Sequence, residues 1–355
     1  MRKLLGIFSN VLGMENHDFY AAAREGSFSA IPVEVLTVKN LTQANASGNT
    51  PLHIAAKYGT LDQLPPAILT EETVSLKNDA GYAPVHLAAR SGKLLQIPAR
   101  LLTRDLLLLR SNSGYTPLHL AATAGTLDQV PAEFLSADTI LTKTDHGNTL
   151  LHDAAENGTL DRVPAKLITR EALSSCNISG ETVLHVAVFN GHLDQLPKEF
   201  LTSESLLAKT AGHDTCLHAA AISGHLDQIP AEFLTFENLV MASKSGHTPI
   251  HAAAESGNLN QIPSERMTID LMISRNDFGD TPMHAAAVEG HLDQVPREFL
   301  NRATLTVRNY SGGSPLGAAI RNGFTHQLPP DFVPKPLSKI QQFLIRIGLS
   351  RPPHS

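Results

Sequence analysis

Eight histidines stand 33 residues apart: His53, His86, His119, His152, His185, His218, His251 and His284. Imidazole moves protons near neutral pH and is the commonest side-chain ligand for transition metals, so such a row invites catalysis or metal binding. The spacing argues against both. A metal needs three or four donors converging at about 2 Å, whereas one histidine per repeat supplies one donor per structural layer. A second row, Asp62, Asp128, Asp161, Asp194, Asp227 and Asp293, offers carboxylates. Acids spaced by one repeat make a ladder and give no unique acid–base pair. No phosphate-cradling glycine loop, G-x-S-x-G elbow or cysteine–histidine constellation is present. The histidines read as structural, the aspartates as helix-capping, and the chain as a non-enzyme with no cofactor and no metal.

Each histidine closes a tetrapeptide such as Thr50-Pro51-Leu52-His53 or Thr116-Pro117-Leu118-His119. Thr116 is suited to cap a helix whose first position is Pro117, where a missing N–H costs nothing. Ala121-Ala122 present a bulk-free face that lets neighbouring helices approach, and Gly125 ends the helix in the left-handed region. Glycine holds that stop from Gly26 to Gly323, and a second glycine row, including Gly81, Gly114 and Gly279, predicts a tight turn before each helix. His192, His225 and His291, just after the stop, read as residues that start the next helix. Extending the period places Tyr20 and Gly317 at the histidine position, giving ten expected units. A fixed period of this size predicts one supersecondary unit stacked on copies of itself.

The second half of the unit carries a proline, from Pro32 to Pro329. Inside a helix each would cost about 3 kcal/mol, so the backbone is expected to avoid it. Thr60 with Gln63 and Thr126 with Gln129 read as capping boxes that open one turn. A new short helix then starts with the proline first, Glu133, Glu199, Glu232 and Glu298 third, and Phe134, Phe200, Phe233 and Phe299 buried with the next leucine. Segments such as Thr202-Ser203-Glu204-Ser205 and Thr235-Phe236-Glu237-Asn238 predict one more short turn. The outer helix is thus expected to be split.

The pattern D-x-x-G-x-T-P-L-H-x-A-A-x-x-G, met in eight units, resembles the ankyrin repeat. The resemblance spans residues 15–330 and implies an all-α helical-repeat solenoid with a hairpin loop, an inner helix and an outer helix per unit. It also implies that the repeat histidine hydrogen-bonds to neighbouring loop backbone, and that the curved stack binds proteins. The proline-interrupted outer helix departs from the family pattern and is similar to some bacterial ankyrin proteins. The expected organisation is an N-terminal capping helix at residues 1–14, repeats at 15–330 and a C-terminal tail at 331–355.

Composition sets the outer limits. A hydrophobic fraction of 42% with only 17% charged residues suits a packed, soluble body. The net charge of −6 is uneven, because residues 1–13 carry Arg2 and Lys3 without acid and residues 334–355 carry Lys335, Lys339, Arg346 and Arg351 without acid, leaving −12 between them. An acidic body repels phosphate backbones, so no nucleic acid is expected. Two cysteines, Cys176 and Cys216, at unrelated repeat positions form no disulfide framework and suit a reducing compartment, so a cytoplasmic monomer is expected. No stretch approaches the roughly eighteen apolar residues of a membrane span.

Binding residues are expected where the repeat leaves side chains without a packing duty, beside the turn glycine and just before the stop glycine. Those positions hold Lys57, Tyr58, Asp79, Tyr82, Arg90, Tyr115, Asp145, Glu181, Phe189, Asp214, Glu255, Phe278, Asp280 and Glu289. Idle aromatics make interface hot spots, and Tyr58, Tyr82 and Tyr115 come from consecutive units. The later positions turn acidic, which favours a protein or peptide partner with a basic stretch. Leu337, Ile340, Phe343, Leu344 and Ile347, with Lys335, Lys339 and Arg346, predict a basic amphipathic helix that lids the stack or, alternatively, lies on a membrane surface. Leu4, Leu5, Phe8, Val11 and Leu12 have the same reading at the other end. The main expectation is an interaction scaffold; the alternatives are a secreted bacterial effector acting on host proteins and a membrane-surface adaptor.

Overall fold

The structure is a computed structural model that describes residues 16–333. The expected terminal helices, with Leu4 to Leu12 at one end and Leu337 to Ile347 at the other, lie outside the described residues. Among the described residues every element is helical, and the one β-type contact is an isolated bridge between Cys176 and Thr182. The chain groups into two compact units, one up to Ala219 and one from Ala220.

In the first unit the inner helices are Asn16–Glu25, Pro51–Tyr58, Pro84–Arg90, Pro117–Ala124, Leu150–Asn157 and Val183–Phe189, each packed on the next. Their contact faces are the alanine pairs and aliphatics of the repeat: Ala55, Ala56, Ala88, Ala89, Ala121, Ala122, Ala154 and Ala155 have no exposed surface. In the second unit Pro249–Glu255, Pro282–Glu289 and Pro315–Arg321 stack in the same way. Stop glycines such as Gly59, Gly125 and Gly290 adopt positive φ of 78, 66 and 83°. Several turns also donate one backbone hydrogen bond to the preceding turn, as from Asp79 N to Ser47 O, Asn112 N to Ala80 O and Asp145 N to Ser113 O at 3.2–3.3 Å.

The second half of the unit is split as expected, but its parts differ. After Gly125 come a three-residue 3-10 turn, Leu127–Gln129, a second one, Ala132–Phe134, and a short α-helix, Ala137–Ile140, capped by Ser136. Pro131 is not the first residue of its turn. It sits one position earlier, at φ −54° and ψ 132°, where its ring meets no preceding helical carbonyl and the interior penalty does not arise. Glu133 is therefore second, not third. Phe134, Phe200, Phe233 and Phe299 are half-buried, while Leu135 and Leu234 enter the core at 6% and 1% exposure. Turns this short present too little surface to bury both side chains of the pair.

The expected capping boxes at Thr60 and Thr126 do not form. Their hydroxyls donate instead to a carbonyl 37 residues back, Thr60 to Ala23 O at 2.7 Å and Thr126 to Ala89 O at 2.6 Å. Glutamines of the same segment also reach back: Gln96 Nε2 donates to Gly59 O at 2.8 Å while its Oε1 accepts from Leu61 N at 3.3 Å. In the second unit Gln261 does this for Gly224 and Leu226, at 2.6 and 2.9 Å. The carbonyls and amides at a helix end, which lack intrahelical partners, are thus satisfied by the neighbouring layer. The aspartates of these runs are exposed in the first turn and accept no capping bond.

Candidate protein-binding surface

The repeat histidines come first, because they organise the turns. His53 Nδ1 accepts from the Thr50 amide at 3.1 Å and lies 2.8 Å from the Thr50 hydroxyl, while Nε2 faces the Tyr82 carbonyl at 3.0 Å. A backbone N–H can only donate and a carbonyl can only accept, so the neutral Nε2–H tautomer is dictated by the partners. The same arrangement recurs at His152 with Glu181 O, His185 with Asp214 O and His284 with Gly313 O, while His251 faces Asp280 O and meets the Thr248 hydroxyl at Nδ1. His119 deviates, turning to Thr142 O at 3.0 Å. Burial pushes His86, His119 and His251 down to about 4, against weaker opposition from the carbonyl bonds. With both nitrogens engaged by the fold, these rings have no lone pair to offer a metal or a substrate. Tyr20, at the same register position, sends its hydroxyl to Asn49 O at 2.6 Å and to Gln43 O at 2.8 Å, performing the same bridge with a phenol.

The turns and inner helices fixed in this way carry the fourteen side chains singled out above. In the second unit all four of them, Glu255, Phe278, Asp280 and Glu289, line one hollow of about 280 Å³. His247, Asn276 and Asn309 come from the turns, and Ala285, Val288, Ala318 and Arg321 from the inner helices also line it. Phe278 is 57% exposed and Val288 46%. Asp280 is held by Asn309 Nδ2 at 2.7 Å, and His247 Nδ1 lies 3.8 Å from the Glu255 carboxylate.

The first unit places its ten residues more widely. Lys57 and Tyr58 sit together at one helix end, the ammonium 5.5 Å from the ring centroid. Arg90 and Phe189 are exposed at the ends of their own helices. Tyr82 and Tyr115 occupy the turn, half-buried, edge-on to His86 and His119 with centroids 5.6 and 6.0 Å apart. Tyr82 and Tyr115 therefore share a register position that Tyr58 does not. Exposed Asp79 offers its carbonyl to Asn112 Nδ2, and Asp145 pairs with Arg110 at 2.6 Å. Glu181 and Asp214 are half-buried and lend their carbonyls to the histidine bridges.

Two features escaped the sequence reading. One is a hollow of about 640 Å³ in the first unit, walled by Leu173, Leu184 and Phe200 and rimmed by Arg170, Glu204 and Lys209. Ser174, Ser205 and Ala208 in its lining stand where Leu108, Leu106 and Leu109 stand in an earlier unit. Arg170 and Glu204 face each other across it at 3.7 Å, both largely exposed, a pairing worth about 0–1 kcal/mol. The other is Asp153. The residue following each repeat histidine runs Ile54, Leu87, Leu120, Asp153, Val186, Ala219, Ala252, Ala285, Ala318, so one carboxylate interrupts a wholly aliphatic series. That anomaly was visible in the sequence once the column was read vertically.

Short helices layered through their alanine faces, with histidine-bridged turns presented on one side, define a stacked helical-repeat protein. The ankyrin repeat family model matches residues 47–64, the stretch holding the Ser47–Asn49 turn, the Thr50 start, His53 and the Gly59 stop. The chain carries an ankyrin repeat at these residues. No curated protein matches it. Ankyrin repeats generally mediate protein–protein interaction and are typically non-enzymatic modules. Among the described residues no helix is long and apolar enough to cross a membrane.

Proposed function

We propose that this protein is a binding scaffold whose loop and inner-helix face holds a protein or peptide segment carrying basic residues. The observation that carries the reading is the second-unit hollow, where an exposed aromatic, Phe278, stands beside Glu255, Asp280 and Glu289. Such a site supplies an apolar anchor and complementary charge together. The alanines at 252, 285 and 318 matter because they leave depth where Ile54, Leu87 and Leu120 fill the corresponding column of the first unit. Ten repeats through residues 15–330 would carry such positions, which in the first unit hold the aromatics Tyr82, Tyr115 and Phe189. Two cysteines without a bridge, Cys176 exposed and Cys216 buried, fit a cytoplasmic setting.

Selection of binders from a random peptide library, followed by titration against Phe278→Ala and the double variant Glu255→Gln/Glu289→Gln, tests the reading. Selected peptides should be rich in lysine and arginine and weaken at least about tenfold on either variant, as expected for hot-spot truncation. Peptides of no charge preference that bind both variants unchanged would refute it.

A further inference from the structure

Asp153 is the one described residue whose buried side-chain oxygens both lack a hydrogen-bond partner. It is 1% exposed and lies on the helix Leu150–Asn157, one place after the bridging His152. Its register position is the one that Ala285 and Ala318 hold in the second unit, where they line the hollow. An ionised carboxylate left dry and unpaired is costly. Every other inner helix keeps an aliphatic residue here, so the stack has no packing need for an acid. The groups that act on it are Glu156 on its own helix, the Asn148 side chain in its own turn, whose amide lies outside hydrogen-bond geometry yet favours the ionised form, and Tyr115 in the turn of the preceding layer. None of them is a cation. Tyr115 is half-buried, its ring edge-on to His119.

We propose that Asp153 receives a single lysine or arginine side chain from the bound peptide, with Tyr115 flanking the cation and Glu156 at the rim. This rests on the binding face argued above and assigns one of its contacts. A cation entering here supplies the missing counter-charge and donors at once, and an aromatic ring beside a desolvated ammonium or guanidinium adds further attraction. Burial, with Glu156 opposing ionisation as well, pushes the empty Asp153 up to about 8. The incoming cation therefore displaces a proton: the carboxyl O–H breaks, the proton passes to solvent, and the carboxylate pairs with the cation.

The test uses the full chain with N-acetyl-arginine amide, N-acetyl-lysine amide and the neutral isostere N-acetyl-citrulline amide, titrated calorimetrically in buffers of different ionisation enthalpy. The wild type should bind the two cations saturably near pH 6.5, release about one proton per site and leave citrulline unbound. Asp153→Asn should lose that binding at least tenfold, abolish proton release and melt no lower than wild type. Phe278→Ala, in the second unit, should leave both signals intact. Binding without proton release, binding unchanged by Asp153→Asn, or a lowered melting temperature in that variant would overturn the assignment. Loss of peptide binding on Phe278→Ala reports on the second-unit hollow and loss of arginine-amide binding on Asp153→Asn reports on this site, so each reading fails by its own measurement.

Discussion

The Nε2 of His53 stands 3.0 Å from the carbonyl oxygen of Tyr82, a residue 29 positions further along the chain. Through this bond an inner helix holds the turn of the following layer, and the turn in turn presents Tyr82. The same imidazole caps its own helix through Nδ1. One side chain thereby links the start of a helix to the placement of the next candidate contact residue.

The helix Pro84–Arg90 begins at Ala83, where the other histidine helices of the first unit begin at threonine. His86 Nδ1 accepts from the Ala83 amide at 3.1 Å, but no hydroxyl joins it. Ala83→Thr should raise stability by about 0.5–1 kcal/mol by restoring the cap. A urea titration checks this, and a lowered midpoint would contradict the capping account.

The depressed histidines give a defined acid response. In the folded chain His86, His119 and His251 protonate near 4, against an ordinary value of 6.5. As pH falls below 6.5 the unfolded chain takes up protons that the folded chain refuses, so stability drops between 6.5 and about 4 and levels off beneath. Denaturant midpoints measured from pH 7 to 4 should fall, and His119→Phe, which cannot protonate, should show a shallower slope despite a lower midpoint at neutral pH.

Asp153 acts with the opposite sign. Its folded value of about 8 exceeds the ordinary 3.8, so the folded chain keeps a proton that the unfolded chain releases. Stability from this group is greatest below about pH 4 and declines as pH rises toward 8. Asp153→Asn should gain on the wild type across that interval in thermal melts, and parallel curves would show that the carboxyl is not held protonated.

Two glycines separate conformational strain from contact. Gly180 has φ +76°, and an added Cβ would meet the Ala211 amide nitrogen at 2.6 Å; Gly312 has φ +80° with nothing within 4 Å. Alanine at Gly312 should cost about 1 kcal/mol from backbone strain alone, and alanine at Gly180 clearly more, because the adjacent turn must shift. Equal losses in chemical denaturation would mean that the turn-to-turn approach is loose.

Gln96 joins two layers through Gly59 O and Leu61 N. Gln96→Ala should cost about 1–2 kcal/mol, since both backbone groups lose a partner. Amide exchange at Leu61 reports it directly: protection unchanged by the substitution would show that the glutamine is dispensable.

The chain's own residues determined the repeat, the helix starts and stops and the histidine role, because capping, proline placement and the left-handed stop act within a few residues of one another. They also marked Glu255, Phe278, Asp280 and Glu289 as residues without a packing duty, and these four line one hollow. What only the tertiary structure decided lies between layers. Thr60, Thr126 and Gln96 have the composition of local caps, yet their partners stand 35–37 residues back, and a local reading had no means of preferring a distant carbonyl to a near amide. Pro131 moved one place for a similar reason, since its position depends on where the preceding 3-10 turn releases the chain. Asp153 is the clearest case: the residue type is plain in the sequence, but that no cation stands among the groups acting on its buried carboxyl is a property of the packed surroundings.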